Sequence, residues 1–183
     1  MASQCIEDLM EAYVDGDSSA FDELYRQTAP RLMGYLIRLT RHRERAEDLV
    51  QITFSKVHRA RGSYFRGAPL LPWMLAIARR SFLDEVRSAK YRRERLSADG
   101  SLPEPAPEDE PGVPAGVSEA LERALEKLPD NYREAIVLTK VTGLSIKEAA
   151  EVLGVTPTAV KLRVHRGYKA LRVALEQFEG GTP

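Results

Sequence analysis

Residues 144–172, LSIKEAAEVLGVTPTAVKLRVHRGYKALR, read as two helices joined by a tight turn. Ser145 is placed to cap the first helix, and Glu148 three residues later completes a capping box in which each side chain satisfies an orphan N–H of the other. Gly154 follows Leu153 where that helix should end, since glycine accepts the left-handed backbone that closes a helix. Thr156 then caps a second helix with Pro157 at its first position, where the missing N–H removes no hydrogen bond. A short helix, a Gly-containing turn and a longer helix make a helix-turn-helix.

The second helix carries five Lys or Arg residues and no acid. At 100° per residue, Val160, Val164, Gly167 and Leu171 fall within about 60° of arc, which predicts a buried stripe. The opposite face holds Thr158, Ala159, Lys161, Leu162, His165, Arg166, Lys169 and Arg172, with Thr156 at the cap and Arg163 at the flank. Such a face suits a major groove, with cations for phosphates and short or apolar side chains for base edges. A merely solvated face would intersperse acids and would not leave Leu162 in water.

Net charge is +0, but its distribution is uneven. Residues 1–95 hold 17 Lys and Arg against 13 Asp and Glu, and residues 118–183 hold 10 against 9. Between them, residues 96–117 hold no base and five acids, Asp99, Glu104, Glu108, Asp109 and Glu110, together with five prolines and three glycines. That composition cannot build a packed core and predicts an extended acidic linker. The chain thus divides into an N-terminal domain over 1–95, a linker over 96–117 and a C-terminal domain over 118–183, whose last residues, EGGTP, should fray.

Sustained alternation with β-branched enrichment is absent, so the expected fold is all-α, two small helical domains. In the first, Ile6, Leu9, Met10 and Tyr13 mark a short helix closed by Asp15-Gly16. Phe21 through Leu39 marks a longer one that Pro30 should kink or divide. Further helices are expected over about 45–60 and 72–90 and, in the second domain, from a Ser118 cap to about Leu128 and from Asp130 to Thr142.

In RAEDLVQITFSKVHRA, residues 45–60, the residues Ala46, Val50, Phe54 and Val57 share a core face with Leu49 at its edge. Asp48, Gln51, Ile52, Ser55 and Arg59 lie opposite. An Ile framed by hydrogen-bonding groups suits a modest protein–protein contact, although a lone exposed Ile is also ordinary. From Gly62 to Arg95 a Gly/aromatic loop leads into a helix where Arg79, Arg80, Arg87, Lys90, Arg92, Arg93 and Arg95 outnumber Asp84, Glu85 and Glu94. Cations beside Tyr64, Phe65 and Trp73 are the ingredients of single-strand binding, in which bases stack on rings. Trp73, Ile77, Phe82 and Val86 read equally well as core.

Taken in order, these parts resemble a bacterial group 4 sigma factor, the extracytoplasmic-function (ECF) class of sigma-70-like initiation factors. AEDLVQITF at 46–54 resembles the core-polymerase motif, FRG with WMLAIARRSFLDEVR at 73–87 the promoter-melting and upstream segment, and 125–172 the helix-turn-helix domain. The resemblance implies a sigma-2 domain over about 17–95 and a sigma-4 domain over about 118–176. It implies docking of Asp48, Gln51, Ile52 and Ser55 on the β′ clamp, among contacts with the β′ and β subunits of core RNA polymerase. It implies −10 contacts from Tyr64, Phe65, Arg66, Trp73, Arg79, Arg80, Asp84 and Arg87, the loop at 62–72 capturing a flipped base of the non-template strand. It implies −35 contacts from Thr156, Thr158, Ala159, Lys161, Leu162, Arg163, His165, Arg166 and Lys169. Ile52 stands where the family often has an acid and Arg80 where it often has Asn, whereas Asp84 and Arg87 match. The partners implied are promoter DNA, both duplex and single-stranded, and an anti-sigma factor, with the free protein a monomer.

Two rival readings fit less well. A stand-alone helix-turn-helix regulator would usually dimerise on a palindrome, and no heptad seam or sensor segment appears. An enzyme is disfavoured because His42, His58 and His165 lack metal-ligand spacing and neither a P-loop nor a nucleophile elbow occurs. The single Cys5 permits no intramolecular disulfide and no multi-Cys metal site, so no metal or other cofactor is expected. The longest apolar run, residues 68–78, is too short to span a bilayer and contains two prolines, and no signal-peptide pattern opens the chain. A cytoplasmic protein without membrane insertion is the expectation.

Overall fold

Apolar periodicity closes four helices around a shared core in the N-terminal half: α1 (Ile6–Val14), α2 (Ser19–Thr40), α3 (Arg43–Ala60) and α4 (Leu70–Ala98). In the C-terminal half follow α5 (Glu119–Glu126), α6 (Asp130–Ile136), a π-helical turn (Val137–Val141), α7 (Ile146–Leu153) and α8 (Pro157–Glu179). The computed structural model describes residues 5–98 and 119–179, and side chains within 5–92 and 119–176. Among the described residues there is no strand, in keeping with the all-α expectation. Ser118, the acidic segment from residue 99 onward and the tail from residue 180 lie outside them.

The first core takes in most of the side chains that the helical spacing picked out on α1, α2 and α3, and adds Leu70, Met74 and Leu75 of α4, which it did not. Leu9, Met10, Leu24, Leu32, Tyr35, Leu36, Leu49, Val57, Leu70, Met74 and Leu75 are all buried. All five core positions expected on α3, including Leu49, are buried too. On α4 the outcome is mixed: Trp73, Ile77 and Phe82 pack against the core, whereas Val86 is 43% exposed. A second cluster of Ala124, Leu125, Leu128, Ile136, Leu171 and Ala174 joins α5, α6 and α8.

The two halves are not separate bodies on a string. The larger core continues through Val137, Leu138, Ala149, Leu153 and Val160, because α4 packs on α7 and α2 packs on α6 and the π-turn. Polar contacts cross the same seam. The Arg38 guanidinium donates to Glu122, with side chains only 4% and 7% exposed. The Tyr35 hydroxyl donates to Glu134 at 2.8 Å, and Arg79 Nε donates to the same carboxylate oxygen at 2.9 Å. Burial, reinforced by the neighbouring Glu134 charge, pushes the Tyr35 phenol well above its ordinary value, so it remains a donor.

Three expectations are corrected. Pro30 does not divide α2, which runs through it without a break. Burial of Leu24 and Thr28 before it and of Leu32, Tyr35 and Leu36 after it holds both turns, outweighing a cost of about 3 kcal/mol. Helix α4 continues to Ala98, into the segment expected to be linker, because no Pro or Gly interrupts it before Gly100. The expected helix over 130–142 widens into a π-turn after Ile136, where the Thr142 N–H donates to Val137 O at 3.0 Å and its hydroxyl to Leu138 O.

Gly167 allows α8 to cross α6 closely. A Cβ built there would lie 2.7 Å from Ile136 Cδ1 and 3.3 Å from Tyr132 Cβ. Gly167→Leu should therefore force the two helices apart and cost about 1–3 kcal/mol. Urea unfolding monitored by circular dichroism would measure the loss, and an unchanged midpoint would mean that the crossing tolerates bulk.

Candidate nucleic-acid interface

The helix-turn-helix forms as its sequence dictates. The Glu148 N–H donates to Ser145 Oγ at 3.2 Å while the Ser145 N–H donates to Glu148 Oε2 at 2.8 Å, so the capping box is closed in both directions. Gly154 ends α7 with φ of 67°, in the left-handed region, and the Ala159 N–H donates to the Thr156 hydroxyl at 3.2 Å. The expected stripe of Val160, Val164, Gly167 and Leu171 is buried. Thr156, Thr158, Lys161, Leu162, His165, Arg166, Lys169 and Arg172 are exposed, and Ala159 and Arg163 are half-buried. Cations and short side chains thus share one open face that begins at a helix N-terminus, the arrangement a major groove accepts.

On α3, Asp48, Gln51, Ile52, Ser55 and Arg59 are all exposed, Ile52 at 44%. Alongside runs a groove of about 580 Å³, lined by Tyr13, Phe21, Tyr25 and Phe54 with Gln51 and Ser55 at its edge. The Tyr25 and Phe54 ring centroids lie 4.5 Å apart with the planes tilted by 43°, and the Tyr13 hydroxyl meets His58 Nδ1. The sequence pattern marks the exposed row but not the aromatic groove, because its rings come from three helices.

The residues expected to contact −10 DNA do not form one open surface. Phe65 stands out of the loop at 81% exposure, and Arg80, Asp84 and Arg87 are also exposed. Asp84 lies 3.8 Å from Lys56 Nζ, linking α4 to α3. Tyr64 is buried, its ring 5.5 Å from that of the half-buried Trp73 and its hydroxyl donating to Ala68 O. Arg66 is held by the Asp15 carboxylate, and Arg79 by Glu134. Local basic density could not reveal these two partners, which lie 51 and 55 residues away in sequence.

Carboxylates of α1 set the electrostatics of this loop. Burial and the nearby Glu7 and Glu11 charges push the Tyr64 phenol up to about 12, so it stays protonated and can donate. Burial works to raise Glu7, but hydrogen bonds from Cys5 and from the Leu70 N–H outweigh it and leave its carboxyl below the ordinary value. The Arg66 hydrogen bonds hold Asp15 below its ordinary value too. Carboxyls depressed by folding stabilise the structure above their unfolded pKa and lose that contribution only as pH falls through the lower folded value. Emission from Trp73, the only tryptophan, should therefore stay constant as pH falls to about 4, where free carboxyls protonate, and change below it. A change that begins above that range would show that these carboxylates do not hold the loop.

Comparison with known proteins follows the same division. Residues 24–92 match Sigma-70 region 2 and residues 118–171 match Sigma-70 region 4. The RNA polymerase sigma factor CarQ of Myxococcus xanthus is 38% identical over 93% of this chain and 97% of its own length. The ECF RNA polymerase sigma factor SigF of Caulobacter vibrioides is 33% identical over 94% of each chain. Among solved structures, the sigma factor RpoE, crystallised with the anti-sigma factor NepR from Bartonella quintana, superposes with a TM-score of 0.68 at 29% identity, covering 85% of this chain and 96% of RpoE. The chain belongs to the ECF class of the sigma-70 family. It is a sigma factor that directs RNA polymerase in transcription initiation, a DNA-binding initiation factor and not an enzyme. Among the described residues no helix is long and apolar enough to cross a membrane.

Proposed function

We propose that this sigma factor divides promoter recognition between its halves, as a sigma-2 domain over 1–95 and a sigma-4 domain over 118–183 joined by the acidic segment 96–117. The exposed face of α8 reads the −35 element as duplex, through Lys161, Leu162, Arg163, His165, Arg166 and Lys169 with Thr156, Thr158 and Ala159 at the N-terminal end. The loop before α4 captures single-stranded −10 bases, with Phe65 as the stacking platform, and Arg80, Asp84 and Arg87 lie along the upstream duplex. Asp48, Gln51, Ile52 and Ser55 dock on the β′ clamp of core polymerase, with further contacts to β. The single observation that carries the reading is the α8 face itself, where Lys161, Leu162, His165, Arg166 and Lys169 stand exposed opposite a buried stripe.

The protein works in the cytoplasm, free as a monomer, and an anti-sigma factor holds it inactive. The likeness to RpoE, crystallised with NepR, supports that last assignment. Melting a base pair costs a few kcal/mol, and stacking one base on an aromatic platform returns roughly 1–3 kcal/mol. Polymerase contacts supply the remainder, so the free protein binds promoters weakly.

Co-purification with core RNA polymerase, followed by run-off transcription on a promoter library, tests the whole. New start sites sharing two upstream elements at fixed spacing are expected. Absence of polymerase binding together with nanomolar duplex binding by the free chain would replace this reading with a stand-alone regulator. Asp48→Ala combined with Ile52→Arg should weaken polymerase association by at least about tenfold, since it removes a hydrogen-bonding carboxylate and places a cation where the family often has an acid. Competition against a reference sigma factor measures it, and undiminished competition would remove α3 from the polymerase interface.

A further inference from the structure

Helix α1 lies ahead of the residues that match region 2, and the established activity gives it no role. Three acids, two on it and one at its C-cap, are nevertheless aimed at the loop. Glu7, Glu11 and Asp15 recur every four residues and therefore share one face at the end of each turn. Each meets a different group. Glu7 Oε1 accepts the Leu70 N–H at 3.1 Å, an orphan donor of the first turn of α4. Glu11 Oε1 accepts the Gly67 N–H at 3.0 Å, at a turn whose φ of 75° suits glycine. Asp15 takes both Arg66 terminal nitrogens, one of which also lies 3.9 Å from Glu11.

The result is a loop pinned on both sides of a single free ring. Tyr64 is buried against Trp73, and Arg66, Gly67 and Leu70 are held by α1, leaving Phe65 to project at 81% exposure. A large ring at the tip of an unrestrained loop would fold back onto apolar neighbours. Fixing the backbone on either side keeps the ring in water and spares the ordering cost when a ligand arrives.

We propose that α1 is the positioning element of the single-strand capture loop, with Glu7, Glu11 and Asp15 as positioning residues that preset the loop to present Phe65 to an unstacked base. Arg66 belongs to this clamp rather than to the DNA contacts. The proposal rests on the capture reading given above, and the experiment separates the two.

Holoenzyme is assembled from core polymerase and the full chain carrying Glu7→Ala with Glu11→Ala, Glu7→Gln with Glu11→Gln, or Phe65→Ala. Binding is measured by fluorescence anisotropy of a single-stranded oligonucleotide bearing the non-template −10 sequence of a mapped promoter, and folding by circular dichroism. The alanine pair should weaken binding about tenfold, with polymerase affinity and −35 duplex binding unchanged. The glutamine pair should restore most of it, because an amide carbonyl still accepts both backbone N–H groups. Undiminished binding by the folded alanine pair, while Phe65→Ala weakens it, would overturn the positioning role alone. Undiminished binding by Phe65→Ala would overturn the capture reading and the positioning role together. A glutamine pair as defective as the alanine pair would also overturn the proposal, since charge rather than loop shape would then be at work. If the alanine pair fails to fold, Asp15→Ala, at an exposed site, replaces it under the same criteria.

Discussion

Lys161→Glu combined with Arg166→Glu should reduce promoter-directed transcription by about a hundredfold or more while leaving polymerase association intact. Both side chains are exposed on α8, opposite the buried Val160 and Val164, so the reversal does not touch the core. Each reversal removes one cation from the face proposed to meet DNA and adds one anion, so the local charge changes by about four. Each phosphate that the face no longer neutralises keeps its condensed counterion, which lowers the salt dependence of binding by roughly one unit of slope. The loss should accordingly shrink as salt rises, because the native interaction weakens faster than that of the variant. Transcription at two salt concentrations, with sigma–polymerase binding measured alongside, checks both parts. Equal loss of polymerase binding would place α8 at the polymerase rather than at the −35 element.

The second large effect concerns the seam between the halves. Arg38→Ala leaves Glu122 as a buried carboxylate without its partner, a loss of the order of 3–5 kcal/mol if that carboxylate stays buried. The molecule has a cheaper response than unfolding, which is to separate α5 from α2 and let water reach Glu122. The expected result is a larger radius of gyration by small-angle X-ray scattering and faster proteolysis between residues 99 and 118. Replacing both partners, Arg38→Met with Glu122→Leu, should keep the molecule closed or tighten it, because apolar side chains of similar volume need no desolvation of charge. The unsatisfied Arg38 Nε adds to the cost of the native pair and favours the same outcome. A double variant as expanded as Arg38→Ala would show that the ion pair itself holds the seam.

Much of this architecture is legible in local sequence, because it is set by interactions within one turn of helix. Ser145, Glu148, Gly154, Thr156 and Pro157 specify the helix-turn-helix through caps and a left-handed closure, and the α8 stripe follows from period alone. Pro30 misleads for the opposite reason. Its local cost is real, but burial on either side overrides it, and burial depends on α1, α3 and α4. The π-turn after Ile136 is similarly decided by packing against α2 and by Thr hydroxyls bonding back to the chain.

The candidate site shows the same boundary. The rows on α3 and α8 could be read because exposure alternates with burial along one helix. The states of Arg66 and Arg79 could not, since nothing local distinguishes a phosphate-seeking Arg from one held by a distant carboxylate. Asp15 and Glu134 find them only through tertiary structure, and the α1 clamp stayed hidden for that reason.

Glu134 holds Tyr35 from α2 and Arg79 from α4 with one carboxylate. If a phosphate on the promoter takes Arg79, it must take it from Glu134, so the nucleic acid and the C-terminal half compete for a single cation. Linkage then works in both directions: a ligand that spreads the halves raises the affinity of Arg79 for phosphate, and phosphate at Arg79 lowers the free energy of spreading by the same amount. The seam would then act as a thermodynamic counterweight to promoter engagement.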